Sequence, residues 1–478
     1  MTKQSLNKYI FLLLIIVSLG ACKTPAISGK MENRSTPSAY GKSQDTTNLA
    51  NIKWRNYFND PYLISLIDTA LKNNQELNIT MQEIEIGKNE VMARRGEYLP
   101  FLQFRGSAGP EKSGKYTWDG LSEEDLKSNP DKGPKYIGNF LAGVEFSWEL
   151  DVWKKLRNST KSAALRYLSS IEGKNFMVTN MISEIASSYY ELTALDNLLA
   201  IVQQNIQLQS NALEIVKLEK NAAKVSQLAV NRFEAQLLNT KNLQYEILQK
   251  IIETENRINF MVGRFPQSVK RNAATFNKLT ADPIFAGVPS QLLANRPDIR
   301  KAELDLAAAK LDVQIAKTNF YPSFSLNAGL GFRAYNQLYL ISPESIIYNL
   351  AGDMVAPLIN KNAIKATYFN ANALQIQSVY NYERAILNAH IEVVNQLSRM
   401  DNFSRSYETK AKEVEILTQS INISNDLFRS ARADYIEVLL TQREALDSKI
   451  DLIEIKLKQL DAKVNIYRAL GGGWDKNP

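Results

Sequence analysis

The sequence predicts a mainly α-helical chain with four membrane-length β-strands, internally duplicated, in which long coiled-coil helices and barrel strands enclose nothing until copies of the chain assemble. Three observations predict it: a self-similar spacing, very long stretches free of helix breakers, and two alternating hairpins. Trp148-Glu149-Leu150-Asp151, Ser226-Gln227-Leu228-Ala229-Val230 and Phe260-Met261-Val262-Gly263 each sit 208 residues before a counterpart: Ala356-Pro357-Leu358-Ile359, Asp434-Tyr435-Ile436-Glu437-Val438 and Arg468-Ala469-Leu470-Gly471. A fixed period of this kind marks a repeated structural unit. It divides the chain into a first helix/β-hairpin repeat over residues 49–266, a linker over 267–296 and a second repeat over 297–474.

The chain begins with a different solvent preference. Lys3 and Lys8 precede an apolar run from Ile10 to Val17, which ends in Leu19-Gly20-Ala21-Cys22. A charged n-region and a short apolar h-region make a secretory signal over residues 1–21, and the run is too short to span a bilayer as a helix. Leu at −3, small residues at −2 and −1 and Cys at +1 match a bacterial lipobox, so Cys22 is the expected lipidation site. More than one acyl chain there gives stable anchoring to the membrane. Residues 22–48 then read as a lipidated polar tether of Ser, Thr, Pro, Asn and Lys, extended rather than packed.

The helices follow from what is missing. Proline is absent from 135 to 265 and from 358 to 477; glycine is absent from 358 to 470, and only Gly173 occurs between 144 and 262. Both residues break helices. Ile182, Ile185, Tyr189, Leu192, Leu199, Val202, Ile206, Leu213 and Val216 step by threes, fours and sevens, the seam of helices that pack along their length. Sixty to seventy residues rise about 100 Å, so each helix turns back, best at Asn221-Ala222-Ala223-Lys224 and Ser430-Ala431-Arg432-Ala433-Asp434. The return arms, about 228–262 and 436–470, are half as long. Helical stretches from Pro61 to Tyr98 and from Pro297 to Phe320 supply the missing lengths, giving one long helix beside two shorter ones in each repeat.

The hairpins follow Tyr98-Leu99-Pro100-Phe101 and Phe320-Tyr321-Pro322-Ser323-Phe324. Phe324, Leu326, Ala328, Leu330 and Phe332 share one face, with Ser323, Ser325, Asn327, Gly329, Gly331 and Arg333 on the other. In the first repeat Phe140, Ala142, Val144, Phe146 and Trp148 oppose Asn139, Leu141, Gly143, Glu145, Ser147 and Glu149. Strands of this length suit a transmembrane barrel. Four strands cannot close one, and an open sheet in lipid leaves its edges unsatisfied. Two copies supply eight strands around a lumen filled by side chains; three supply twelve and room for a pore. Of the loops between strands, Pro110–Lys135 is long and polar, as on the outer surface of a bacterial barrel, and Ala334–Glu344 is shorter.

Composition removes several classes. With 57 Lys and Arg against 50 Asp and Glu, the net charge of +7 is thinly spread, and no basic block with interleaved aromatics argues for nucleic acid. One Cys and one His leave no intrachain disulfide and no thiolate or imidazole metal site. No phosphate loop, nucleophile elbow or zinc motif occurs. The sequence therefore calls for no catalytic residues, no metal and no cofactor. His390 reads as a packed or surface histidine within a helix, and Glu123, Glu124 and Asp125 as a solvated loop.

Four stretches resemble the lipoprotein branch of the TolC-like outer-membrane efflux proteins. The first is Trp54, Tyr57-Phe58-Asn59-Asp60-Pro61, Leu63, Leu66-Ile67, Ala70-Leu71, Asn73-Asn74 and Leu77. The second is Trp148-Glu149-Leu150-Asp151. The third runs from Leu292-Leu293-Ala294-Asn295-Arg296-Pro297-Asp298-Ile299 through Ala307-Ala308-Ala309 to Phe320-Tyr321-Pro322. The last is Tyr435-Ile436-Glu437-Val438-Leu439 with Thr441-Gln442-Arg443, closing in Tyr467-Arg468-Ala469-Leu470-Gly471-Gly472-Gly473-Trp474. The resemblance covers the chain from about residue 50 onward. It implies a homotrimer with a twelve-stranded barrel in the outer membrane and a twelve-helix periplasmic tunnel. It also implies a tripartite pump with a periplasmic adaptor and an inner-membrane transporter of the RND type. The chain departs from the family at Leu292–Pro297, where paired arginines are common, and at Ala433 and Asp434, where a Gly-containing turn is common.

The expected function is a passive outer-membrane exit channel for small toxic compounds or metal ions. Asn221, Lys224, Leu427, Arg432 and Asp434, around the two turns, are the candidate gate at the periplasmic tip; ordinary polar caps on helical turns explain the same residues. Arg296, Pro297 and Asp298 read as structural: proline suits the first helical turn and a carboxylate its positive end. A type I protein secretion channel on the same fold and a periplasmic adaptor lipoprotein are the alternatives. The adaptor is disfavoured because this chain carries two equivalent units, each with an amphipathic hairpin.

Overall fold

The computed structural model describes residues 24–40, 47–111, 137–278, 286–430 and 432–474. Cys22, the signal segment, Glu123, Glu124, Asp125 and Ala431 lie outside the described residues. The long helices are α1 (Pro61–Asn73), α2 (Gln75–Tyr98), α3 (Lys155–Asn221), α4 (Gln227–Met261), α5 (Pro297–Thr318), α6 (Asn362–Arg429) and α7 (Tyr435–Ala469). The strands are β1 (Phe101–Glu111), β2 (Ile137–Leu150), β3 (Ser323–Ala334) and β4 (Ile346–Val355). Among the described residues no helix is long and apolar enough to cross a membrane.

The two long helices have 67 and 68 residues, and both return helices have 35. The return arms begin and end one residue earlier than their predicted bounds. The 208-residue offset holds from the ends of the hairpins onward: α4 and α7 superimpose on it residue for residue. Ahead of the loops the offset is 222, pairing Pro100 with Pro322 and Gln75 with Pro297, because the first hairpin connection is longer than the second.

Two helix bounds differ from the sequence reading. The stretch Pro61–Tyr98 is not continuous; it breaks at Asn74, whose extended backbone (ψ 125°) ends α1. The Asn74 side chain accepts from the Leu77 amide at 2.9 Å and so starts α2. No glycine or proline marks this break; the asparagine amide competing for local backbone groups makes it. The second lead-in stops at Thr318, and Phe320 and Tyr321 turn on backbone bonds to Lys317 and Thr318.

Among the described residues, one compact unit comprises those within Met1–Met31, Ile86–Tyr167 and Leu304–Val379. The other comprises those within Glu32–Glu85, Leu168–Glu303 and Tyr380–Pro478. Each draws on both repeats, so the repeat is a unit of sequence and not of packing.

In the first unit the strands form one antiparallel sheet in the order β1-β2-β3-β4. The β2–β3 ladder, from Phe140↔Ala334 to Leu150↔Phe324, joins the repeats. The register puts Leu102, Phe104, Val144, Phe146, Leu330, Phe332, Tyr348 and Leu350 on one face. Gln103, Arg105, Glu145, Asn327, Arg333, Asn349 and Asp353 lie on the other. The apolar face is bare: Phe104, Leu330, Tyr348 and Leu350 are 74, 59, 84 and 74% exposed. The polar face carries its own pairs, with Glu145 bonded to Gln103 and Arg105 and Asn327 to Asp353. Gly143 and Gly331 oppose each other there, and a Cβ on either would come within 2.8 Å of the other's Cα. Only glycine allows that approach. Beneath the sheet, Trp148 donates to the Tyr98 carbonyl at 3.1 Å and Trp153 to that of Pro322 at 2.6 Å.

In the second unit the main core gathers Leu63, Leu66, Ile67 and Ala70 of α1, with Ile182, Ile185, Tyr189, Leu192 and Val202 of α3 and Ile258 of α4. The predicted seam is buried apart from Leu199 and Ile206, which are half-buried against this core. Both return helices end alike. Gly263 and Gly471 have φ of 70° and 88°, and a Cβ on either would run into the carbonyl oxygen of Asn73 or Asn295. Glycine is the residue that takes this left-handed position without cost.

The tether is extended, without regular structure over residues 24–37, yet it is packed, which the sequence did not indicate. Ile27 lies against Ala316, Phe320 and Tyr368. Farther on, Arg34 pairs with Glu303 at 3.0 Å and lies over the Tyr382 ring, and the Tyr40 ring stacks on His390 at 5.4 Å. A few anchors spaced along an otherwise polar segment hold it to the helices, a pattern no periodicity reveals.

Candidate functional site

The tip is built from two helical turns with one backbone plan. At the first, the Lys224 amide donates to the Glu219 carbonyl at 2.9 Å and the Ala223 amide to that of Lys220 at 3.0 Å. These two bonds close a helix C-terminus of the Schellman type. At the second, the Arg432 amide donates to the Leu427 carbonyl at 2.9 Å, the same bond 208 residues on. Ala223 has φ 58°, a conformation that costs a non-glycine residue about 1 kcal/mol. The restarts differ. Ser226 caps α4 by accepting from the Ala229 amide, whereas the Asp434 side chain at the start of α7 makes no cap bond.

The turns are neighbours within one chain. Leu213, Val216, Ala229, Val230, Phe233 and Leu237 form a small core at the first, and Tyr435 and Leu439 of α7 pack against it with Val225. Asn221, Lys224, Arg432 and Asp434 are exposed and Leu427 is 38% exposed. Among the described residues none of the four polar side chains forms a hydrogen bond or ion pair within the chain, and Arg432 and Asp434 do not pair with each other. The structure therefore brings the five candidates to one end and leaves their polar groups unspent.

The Arg296-Pro297-Asp298 block lies elsewhere, with Arg296 and Pro297 buried and Asp298 half-buried. Pro297 opens α5 and Asp298 sits in its first turn. Arg296 donates to Asp298 through two nitrogens at 2.9 and 2.8 Å, to Glu392 at 2.7 Å and to the Ala469 carbonyl at 2.8 Å. Burial opposes its charge, but Asp298 and Glu392 outweigh that and hold the guanidinium pKa above its ordinary value. Arg468 reaches the same Glu392. Glu392 is a residue that the sequence reading missed: it lies in a helix of unbroken pattern, and no local signal singles it out.

His390 is half-buried, and its Nδ1 finds no partner among the described residues. No group of three His, Cys, Asp or Glu that could hold a metal ion occurs among them.

Comparison with known proteins agrees with this architecture. The chain is 27% identical over 426 residues to the pyoverdine export outer membrane protein OpmQ of Pseudomonas aeruginosa, covering 89% of this chain and 88% of that one. It is 25% identical over 443 residues to the probable outer membrane lipoprotein SilC of Salmonella typhimurium, covering 93% and 91%. Its fold matches the crystal structure of the open state of the Neisseria gonorrhoeae MtrE outer membrane channel with a TM-score of 0.81 at 20% identity, over 94% of this chain and 98% of the other. The family profile for outer membrane efflux proteins matches residues 66–264 and 288–472, one segment in each repeat. With both repeats covered, the chain belongs to the outer membrane efflux protein family.

Proposed function

We propose that three copies of this chain form a passive, gated exit channel, with twelve strands closed in the outer membrane and the helices extending into the periplasm. The observation that carries it is the sheet: one exposed apolar face, one polar face, and β1 and β4 each with an unpaired edge. Backbone edges left open in lipid are too costly to persist, and pairing β4 of one copy with β1 of the next removes them. Two copies would give an eight-stranded barrel with a filled interior, whereas more strands leave an aqueous lumen. The polar face, with its small residues and charges, suits that lumen.

The chain supplies a path and not a reaction. Energy would come from an inner-membrane RND-type transporter, reached through a periplasmic adaptor; the chain itself needs no cofactor. Cys22 carries the lipid anchor. The cargo is a small toxic compound or metal ion, in line with relatives named for export. Type I protein secretion would use the same fold, but no observation favours it. The adaptor does not fit a chain whose repeats both match outer membrane efflux proteins.

The gate is the ring of tip residues. With Arg432 and Asp434 unpaired inside the chain, threefold assembly can pair them between copies. Exposed pairs contribute about 0–1 kcal/mol each, weak enough for a partner to separate. Replacing both by Ala raises antibiotic influx in cells lacking other exporters; unchanged influx with normal amounts of assembled protein contradicts the gate.

A further inference from the structure

The second unit contains a recess walled by tyrosines. Its volume is 220 Å³, and it is lined by Tyr57, Tyr62 and Tyr190 with Asp60, Asn272 and Lys463. The walls are fixed in advance. Tyr57 stacks on Tyr467 with ring centroids 4.1 Å apart, and its hydroxyl donates to the Lys463 carbonyl at 2.7 Å. Asp60 is held from two sides: one oxygen accepts from the Tyr62 amide at 2.9 Å and the other from the Tyr189 hydroxyl at 2.7 Å. A carboxylate oxygen has capacity for more than one donor, so Asp60 can still accept from a ligand.

Tyr190 is the second observation. Its ring packs against the main core, yet its hydroxyl makes no hydrogen bond among the described residues. Burial and the Asp60 charge push its pKa upward, so it stays a neutral phenol and a donor. Tyr190 is half-buried, and its side chain lines the recess.

The duplication shows that the tyrosines are not needed to build the repeat. At the 208 offset, Tyr189 and Tyr190 are replaced by Leu397 and Ser398, and Lys463 answers to Glu255. At the 222 offset Tyr57 and Tyr62 answer to Leu279 and Ile284, while Asp60-Pro61 recurs as Asp282-Pro283.

The lining defines the ligand. One carboxylate and one ammonium balance in charge, which favours a neutral molecule. Donors and acceptors occur together, which favours hydroxyl groups. Tyrosine rings offer flat apolar contact with a polar rim. The volume lies below the roughly 300–1,000 Å³ of sites for drug-sized ligands, room for one ring. We infer that this recess binds a single pyranose ring of a glycan, laid against Tyr57 and Tyr62 and hydrogen-bonded by Tyr190, Asp60 and Lys463.

Saturation-transfer NMR on the full-length protein, in micelles free of sugar-based detergent, tests this with N,N′-diacetylchitobiose and maltose as separate probes. Transfer to chitobiose alone assigns an acetamido glycan, and transfer to maltose alone a plain hexose; either result supports the site. Tyr190→Phe keeps the ring and weakens binding about fivefold, the loss of one hydrogen bond. Tyr62→Ala abolishes transfer, and Tyr245→Ala, an exposed tyrosine on α4, leaves it unchanged. No transfer to either sugar from folded protein overturns the inference. So does equal transfer in all variants, or displacement of the sugars by tetramethylammonium, which would make the recess a cation cage.

Discussion

The two repeats solve one junction with different chemistry. In the first, Asn74 donates to the Met261 carbonyl at the end of α4 at 2.8 Å. In the second, Arg296 donates to the Ala469 carbonyl at the end of α7, also at 2.8 Å. The acceptors stand 208 residues apart and the donors 222, so these are equivalent sites on the two sides of the loop-length difference. The amide is neutral and local: it ends α1, starts α2 and binds one carbonyl. The guanidinium is charged and buried, so it recruits Asp298 and Glu392, and Glu392 recruits Arg468. The same geometric task is met once by a cap and once by a charge network. The second solution makes α5, α6 and α7 depend on one another.

That difference sets an order of sensitivity. Arg296→Ala leaves the half-buried Asp298 without its partner and Glu392 with Arg468 alone, and costs about 3 kcal/mol, the upper range for losing hydrogen bonds between charged groups. Asn74→Ala removes a cap and one buried hydrogen bond and costs about 2 kcal/mol. Urea titration of the purified protein in detergent measures both, and equal losses would erase the distinction.

A third test uses pH. Asp461 of α7 is half-buried and desolvation raises its pKa, whereas its repeat equivalent, Glu253 of α4, is exposed. A carboxyl with a raised folded pKa contributes stability below its unfolded pKa and loses it as pH rises through the folded value. Asp461→Asn therefore raises the melting temperature at pH 7, and the gain fades on acidification into the ordinary carboxylate range. Glu253→Gln changes little at any pH. A pH-independent gain for Asp461→Asn would contradict the assignment. The smallest effect is at the tip. Ala223→Gly relieves the left-handed strain but frees the unfolded chain, for a net change within about 1 kcal/mol.

Elements set by local pattern were legible in the sequence. The turns after Asn221 and Arg429 interrupt apolar seams, and the strand faces alternate residue by residue, so the sequence locates both closely. What it hid depends on partners distant in the chain. The break at Asn74 has no proline or glycine, the tether is held by a few contacts, and Glu392 matters because Arg296 and Arg468 reach it from 96 and 76 residues away. The tip candidates fall between these cases. Their positions follow from the repeat, but their exposed side chains have no partner within the chain to reveal a task. The recess at Tyr190 was hidden because its walls come from four separate parts of the sequence.

Single-channel recording of the purified oligomer in a planar bilayer tests the central claim most directly. Closure of four-stranded sheets into one barrel predicts discrete, uniform conductance steps, larger in the Arg432→Ala, Asp434→Ala double variant. A silent bilayer from folded, inserted protein would contradict it.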